Sequence, residues 1–265
     1  MLLTNENYHS QEAYKEYLSV SRYKDFIGSD GRRGCEAMAL AKMRGEWEQE
    51  KTIPLLVGSY VDAHFSGMLT VFKSQHPEIL TQKGELRAEY KQANEIIARI
   101  ESDDYFMTCM SGEKQRIFTA DLFGAKWSVC VDSYVPGKAI VDLKIMKELR
   151  KSHWVKDFGH TTFIQFWGYL LQGAIYQRVT EIATGEKLPF LIAAASKEKV
   201  TDIAVVGFTQ KELDDELSLV EKNVYRIIKL KEGSIQPVRC ESCDYCRITR
   251  VLDHPIHHSE LILNI

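Results

Sequence analysis

Asp132 and Asp142 stand at equal distances from Gly137 in a Pro136-Gly137 turn, and Lys144 follows two positions after the second acid. In an antiparallel hairpin about Gly137 the two aspartates face one another, with Cβ atoms about 5 Å apart. Like charges directly opposite destabilise a sheet, and Val129, Val131, Ile140, Val141 and Leu143 give this pair a dry setting. Either one carboxyl keeps its proton or a cation lies between the two. A divalent, oxygen-preferring ion such as Mg²⁺ is the economical answer. Lys144 shares the face of Asp142, where an ammonium beside a metal orients water and offsets charge on a phosphoryl transition state. Asp, Asp and Lys together are what metal-assisted phosphodiester hydrolysis needs. The same D-x-K spacing also arises in strands whose exposed acid and lysine only meet water.

A polar stripe follows. Residues 161–183 read as one long helix, on which Gln165, Tyr169, Gln172 and Tyr176 fall within about 60° of one another. Their neighbours are mostly apolar, so the stripe needs partners. A phosphate backbone or a metal-binding carboxylate would supply them, as would nearby backbone or water. Near the other end of the chain, Cys240, Cys243 and Cys246 form C-x2-C-x2-C, a spacing able to hold a metal. A closed site needs a fourth ligand, for which Cys35 is the candidate. Iron–sulfur, zinc and a metal-free reduced tail all remain open on spacing alone. Arg239, Arg247 and Arg250 flank the cysteines as phosphate contacts or, by default, as a solvated rim, and Cys109 and Cys130 read as buried thiols.

The elements that must position these groups are legible in outline. Helical patterns cover residues 35–50, 55–74 and 84–100, and Ser21 is a candidate cap for a helix start in 19–26. Strand-forming runs occupy 116–123, 126–135, 139–145, 189–195 and 202–208, with an amphipathic helix over 211–230. The order predicts an α/β architecture, a mixed β-sheet flanked by helices with a cysteine-containing C-terminal appendage. With 265 residues, one domain spanning 1–265 is expected, divided into a mainly helical part (1–110), a sheet and helix that carry the chemistry (111–210), and a C-terminal helix with the cysteines (211–265). The formal charge of −3 excludes overall basicity, so a nucleic-acid partner requires a locally positive groove. The polar N-terminus lacks the apolar core of a signal peptide, and no apolar run reaches membrane length. A cytoplasmic protein with reduced cysteines is the expectation.

Together these residues resemble the PD-(D/E)xK nuclease superfamily, and within it the phage and prophage RecE-like exonucleases and their RecB-type relatives. The matching elements run in the family's order: G-x-x-x-(H/D) at Gly58 to Asp62, a glutamate at Glu113, Asp132, the D-x-K of Asp142 and Lys144, and Q-x-x-x-Y at Gln172 and Tyr176, with Gln165 and Tyr169 as a second match. RecE-like proteins often carry histidine where this chain has Asp62. His64, about 200° away on a helix, cannot serve the same ion and reads as a packed or surface residue. The resemblance implies a restriction-endonuclease-like core in which Asp62, Asp132, Asp142 and Glu113, with the Leu143 carbonyl, hold Mg²⁺ or Mn²⁺. It implies that Lys144 orients water and that Gln172 and Tyr176 position the strand or the ligand shell. The implied function is a DNA exonuclease working from ends beside a single-strand annealing protein, with an oligomeric ring around DNA as an analogy. Relatives including the AddAB helicase–nuclease and the CRISPR adaptation nucleases tie one upstream cysteine to three near the C-terminus through a [4Fe–4S] cluster, although their last spacing is usually wider than here. The rival readings are a catalytically silent DNA-binding relative and a zinc- or iron–sulfur-stabilised interaction module.

Overall fold

The computed structural model describes residues 1–48, 52–156 and 158–261. Leu18 bridges to the sheet through Leu18 N–H to Lys126 C=O (2.7 Å) and Ser128 N–H to Leu18 C=O (3.0 Å). After a short helix, Gln11–Glu16, the chain is therefore extended over 17–19, and the helix α1 (Val20–Ile27) starts there. Its cap is Ser19, whose hydroxyl accepts the Arg22 N–H, and not the expected Ser21. A short hairpin, Gly28–Ser29 with Arg32–Arg33, leads to α2 (Glu36–Arg44). That helix ends at left-handed Gly45, earlier than the expected 35–50, of which residues 49 and 50 lie outside the described residues. The helix expected over 55–74 breaks where Gly67 adopts φ 76°, giving α3 (Ile53–Phe65) and a short helix Leu69–Gln75. The next long helix, α4 (Gln92–Glu101), begins well after the expected residue 84, and a short helix, Asp104–Cys109, follows it before the sheet.

Three strands then run as a meander. Strands β1 (Glu113–Leu122) and β2 (Ala125–Val135) join through Phe123 and Gly124, both at positive φ (54° and 78°), as a two-residue type I′ hairpin requires. The Pro136-Gly137 turn leads to β3 (Ala139–Met146). The 161–183 stretch is two helices, Phe163–Phe166 and α5 (Tyr169–Thr184), separated at Gly168 with φ 63°. A side chain at Gly168 would lie 3.0 Å from Ser29 Cβ and 3.3 Å from Lys24 Cε, so close packing as well as backbone geometry favours glycine there. Strands β4 (Phe190–Ser196) and β5 (Ile203–Gly207) and the helix α6 (Gln210–Lys231) complete the core.

The strands lie in the order β1-β2-β3-β4-β5, antiparallel except for β3 with β4. That crossover sends α5 over one face. Trp127, Val129 and Ile140 pack there with residues of α1, α2, α5 and α6. Val141, Leu143, Ala193 and Ala195 pack on the other face with α3 and α4. Alternation along β3 therefore turns Asp142, like Ile140, towards α5, and Lys144 with it. The result is a mixed α/β fold with helices on both faces, and no helix among the described residues is long and apolar enough to cross a membrane.

Candidate metal centre and cleft

The β2–β3 register is the one Gly137 dictates, with Ser133, Tyr134 and Val135 opposite Val141, Ile140 and Ala139. The ladder stops one step before the aspartates. There the strands part, and Asp132 Oδ2 accepts the Leu143 N–H at 2.7 Å, satisfying a donor that the strand pairing leaves free. The β2–β3 ladder thus ends short of Asp132 and Asp142, and both line a single open cleft of about 920 Å³. Asp62, on α3, lines it from the opposite face of the sheet.

The site's hydrogen bonds hold the two strand aspartates firmly. Asp132 Oδ1 accepts from Gln115 Nε2 (3.1 Å), whose own Oε1 accepts from the Cys130 thiol (3.2 Å). Asp142 is 2% exposed; its Oδ1 accepts from Gln172 Nε2 at 2.7 Å and its Oδ2 is ion-paired with Lys144. Tyr176 donates to the Cys130 carbonyl at 3.1 Å, bracing α5 against β2. The Tyr169 hydroxyl donates to Met146 Sδ, and the Lys144 ammonium lies 5.4 Å from the centre of its ring.

Electrostatics single out Asp132 and Asp62. Burial, then the charges of Asp142 and Asp62, push Asp132 well above the carboxylate range, against the pull of Lys144 and the Leu143 N–H. Burial and Asp142 raise Asp62, with Lys144 opposing. Burial alone would depress Lys144, but Asp142, Tyr169 and Asp132 outweigh it and keep the ammonium charged. Cys130 is raised to about 12, by burial and then by the three aspartates. One ammonium does not neutralise three crowded carboxyls, and a divalent cation on all-oxygen donors would. The residues present therefore fit Mg²⁺ or Mn²⁺, with water expected to complete the shell.

Two expected site residues stand elsewhere. Glu113 is half exposed at the start of β1, 3.7 Å from Arg116, and does not line the cleft. Gln115, two residues on, takes the place by Asp132, with φ 49°. Counting back from a two-residue turn at Phe123-Gly124 puts Gln115 opposite Asp132, a signal that sequence reasoning passed over. Gln165 caps its own short helix in a capping box with Thr162, because the break at Gly168 rotates it away from Gln172. Tyr169 does line the cleft. His64 bonds Glu101 at 2.8 Å on the surface, as its helical position implied.

The cysteine set does assemble. The ligand atoms of Cys35, Cys240, Cys243 and Cys246 lie within 4.8 Å of one another, a closeness that the three aspartates do not reach among the described residues. Cys35 Sγ is 3.5 Å from Cys246 Sγ, which is 3.9 Å from Cys240 Sγ. Burial pushes Cys240 up, but hydrogen bonds from Ser242 and Cys243 outweigh it and hold the thiol at about 6. Two of the arginines fasten the loop. Arg239 donates to the Cys246 carbonyl (2.7 Å) and pairs with Glu241, and Arg250 donates to the Glu241 carbonyl (2.8 Å). Arg247 pairs loosely with Asp244 on the surface.

Residues 19–249 match the family described as a PDDEXK-like domain of unknown function (DUF3799). The chain belongs to this PD-(D/E)xK family. A crystal structure from Eubacterium rectale, described as a "putative exonuclease", is 54% identical over the whole of both chains, with a TM-score of 0.96. No curated protein matches the chain.

Proposed function

We propose that this chain is a Mg²⁺- or Mn²⁺-dependent DNA exonuclease, a hydrolase that cuts phosphodiester bonds from DNA ends as a single unit over 1–265. The observation that carries this reading is the cleft's charge. Among the described residues six cations (Arg22, Lys24, Arg32, Lys42, Lys144 and Lys197) line it against four carboxylates (Asp25, Asp62, Asp132 and Asp142). The chain as a whole is negative, so this is the locally positive groove that a polyanion needs. The description of the similar structure as an exonuclease supports the same reading.

Asp62, Asp132 and Asp142, with the Leu143 carbonyl beside them, would hold the ion, which when bound polarises the scissile phosphate and acidifies water. The chain's own groups do the positioning. Gln172 fixes the rotation of the Asp142 carboxylate, and Gln115 and the Leu143 N–H fix that of Asp132. Lys144, kept charged by Asp142, orients the attacking water and offsets charge on the phosphate. Tyr176 locks the helix that carries Gln172 to the strand that carries Asp132. An annealing protein is the partner this reading expects, and a cytoplasmic site of action goes with it.

For the cysteines, the favoured cofactors are [4Fe–4S] or Zn²⁺. A single tetrahedral ion with metal–sulfur bonds of about 2.3 Å sets sulfurs about 3.8 Å apart, close to the 3.5 and 3.9 Å seen. That spacing favours zinc, whereas the relatives' pattern favours the cluster. An absorption spectrum of anaerobically purified protein separates the two.

The test of function is digestion of an end-labelled linear duplex beside a closed circle, with Mg²⁺ or with EDTA. Mg²⁺-dependent loss of the linear form alone supports the reading. Binding without turnover would favour the silent relative, and neither binding nor turnover the interaction module.

A further inference from the structure

Lys24 belongs to no motif singled out in the sequence, yet it projects from α1 into the same cleft as the aspartates. Its setting is unusual for a half-buried ammonium. Asp25, next along the chain, is already taken by Arg32 (3.0 Å) and Lys42 (3.1 Å). No carboxylate pairs with Lys24 among the described residues; its bonding partner is the Trp167 carbonyl at 2.7 Å. Its ammonium lies 5.2 Å from the centre of the Tyr169 ring, the ring that also carries Lys144 at 5.4 Å. Gly168 makes the approach feasible, since a Cβ there would sit 3.3 Å from Lys24 Cε. Buried charges are normally paired, so a cation placed beside a second cation, in a cleft open to solvent, calls for an anion from outside.

We infer that Lys24 seats the backbone phosphate next to the one being cleaved, with Lys144 at the scissile phosphate and Tyr169 between them as a shared support. This deepens the nuclease reading and rests on it. Burial and the Lys144 charge bring Lys24 down to about 7, with Asp142 opposing, Arg32 adding to the fall and Glu216 opposing. A bound phosphate reverses that balance and restores full charge, so the seat strengthens as it fills.

The test uses the full chain and oligonucleotides in which one phosphate at a time is replaced by a neutral methylphosphonate. For wild type, KM for removal of the first nucleotide should rise about tenfold at one position adjacent to the cut. Lys24→Met should raise KM on unmodified DNA by about tenfold, change kcat less than about threefold, and lose no further affinity from that same replacement. Its logarithmic salt slope should fall by ~0.7, one single-strand phosphate contact, and Lys24→Arg should recover most of the loss. If Lys24→Met instead lowers kcat or the melting temperature while KM and salt slope stay at wild-type values, Lys24 only braces the Trp167 turn and the inference is overturned. Wild-type digestion with Asp142 dependence but no Lys24 effect removes this inference alone, whereas no digestion by wild type removes the nuclease reading and this with it.

Discussion

Gln172→Leu examines how the site is held together. The Gln172 amide and the Asp142 carboxylate meet at 2.7 Å, and the two residues are only 6% and 2% exposed. A hydrogen bond to a charged group contributes about 1.5–3 kcal/mol, and a buried acceptor deprived of its donor costs about the same. Leucine keeps a side chain of similar size, so little cavity term is added, and the expected loss is about 2 kcal/mol. At ~2–4 °C per kcal/mol for a chain of this size, calorimetry in EDTA should show melting lowered by ~4–8 °C. Asp142 would then be oriented by Lys144 alone, and losing a partner of a metal ligand typically costs about 10–100-fold in metal affinity or activity. The Mg²⁺ concentration for half-maximal digestion should rise by that factor, with most of the rate recovered at saturation. A variant melting within about 1 °C of wild type, with the same Mg²⁺ midpoint, would refute the reasoning.

Two further perturbations probe the acids and the thiols. Because burial and Asp142 raise Asp62, the native chain retains a proton that the unfolded chain releases, so metal-free stability is full at low pH and is lost as pH rises through the raised pKa. Asp62→Asn removes this part of the slope: in EDTA it should melt above wild type near pH 8 and converge with it near pH 4, and the reverse order would contradict the assignment. Cys246 is fully buried between Cys35 and Cys240, so Cys246→Ser should release the metal found in wild type by elemental analysis. Wild-type protein purified under argon with neither iron nor zinc would remove the cofactor assignment.

The strands were readable because β-rich runs and turn residues agree with one another; all five fall within a few residues of their expected places. The hairpin register followed from Gly137 alone. What period-counting could not supply was the parting of β2 and β3 just before the aspartates, since that depends on a carboxylate replacing a strand as acceptor for Leu143. The long helix expected over 161–183 divides in two for a related reason. Apolar periodicity runs through Trp167-Gly168, while the left-handed glycine that splits Gln165 from Gln172 is set by packing against Lys24 and Ser29. Lys24 itself gave no signal, because its meaning comes from the fold bringing α1 against the start of α5. The cysteines were the easiest group to read, as three share seven residues and the fourth caps α2.

The ion itself can be located directly. Crystals soaked in Mn²⁺ and measured near the manganese absorption edge should show an anomalous peak in contact with the carboxylates of Asp132 and Asp142 and on the side of Asp62. The peak should weaken strongly in Asp142→Asn crystals that keep the wild-type fold. Mn²⁺ bound elsewhere, or none at a concentration that sustains digestion, would contradict the claim that these three acids form the metal centre.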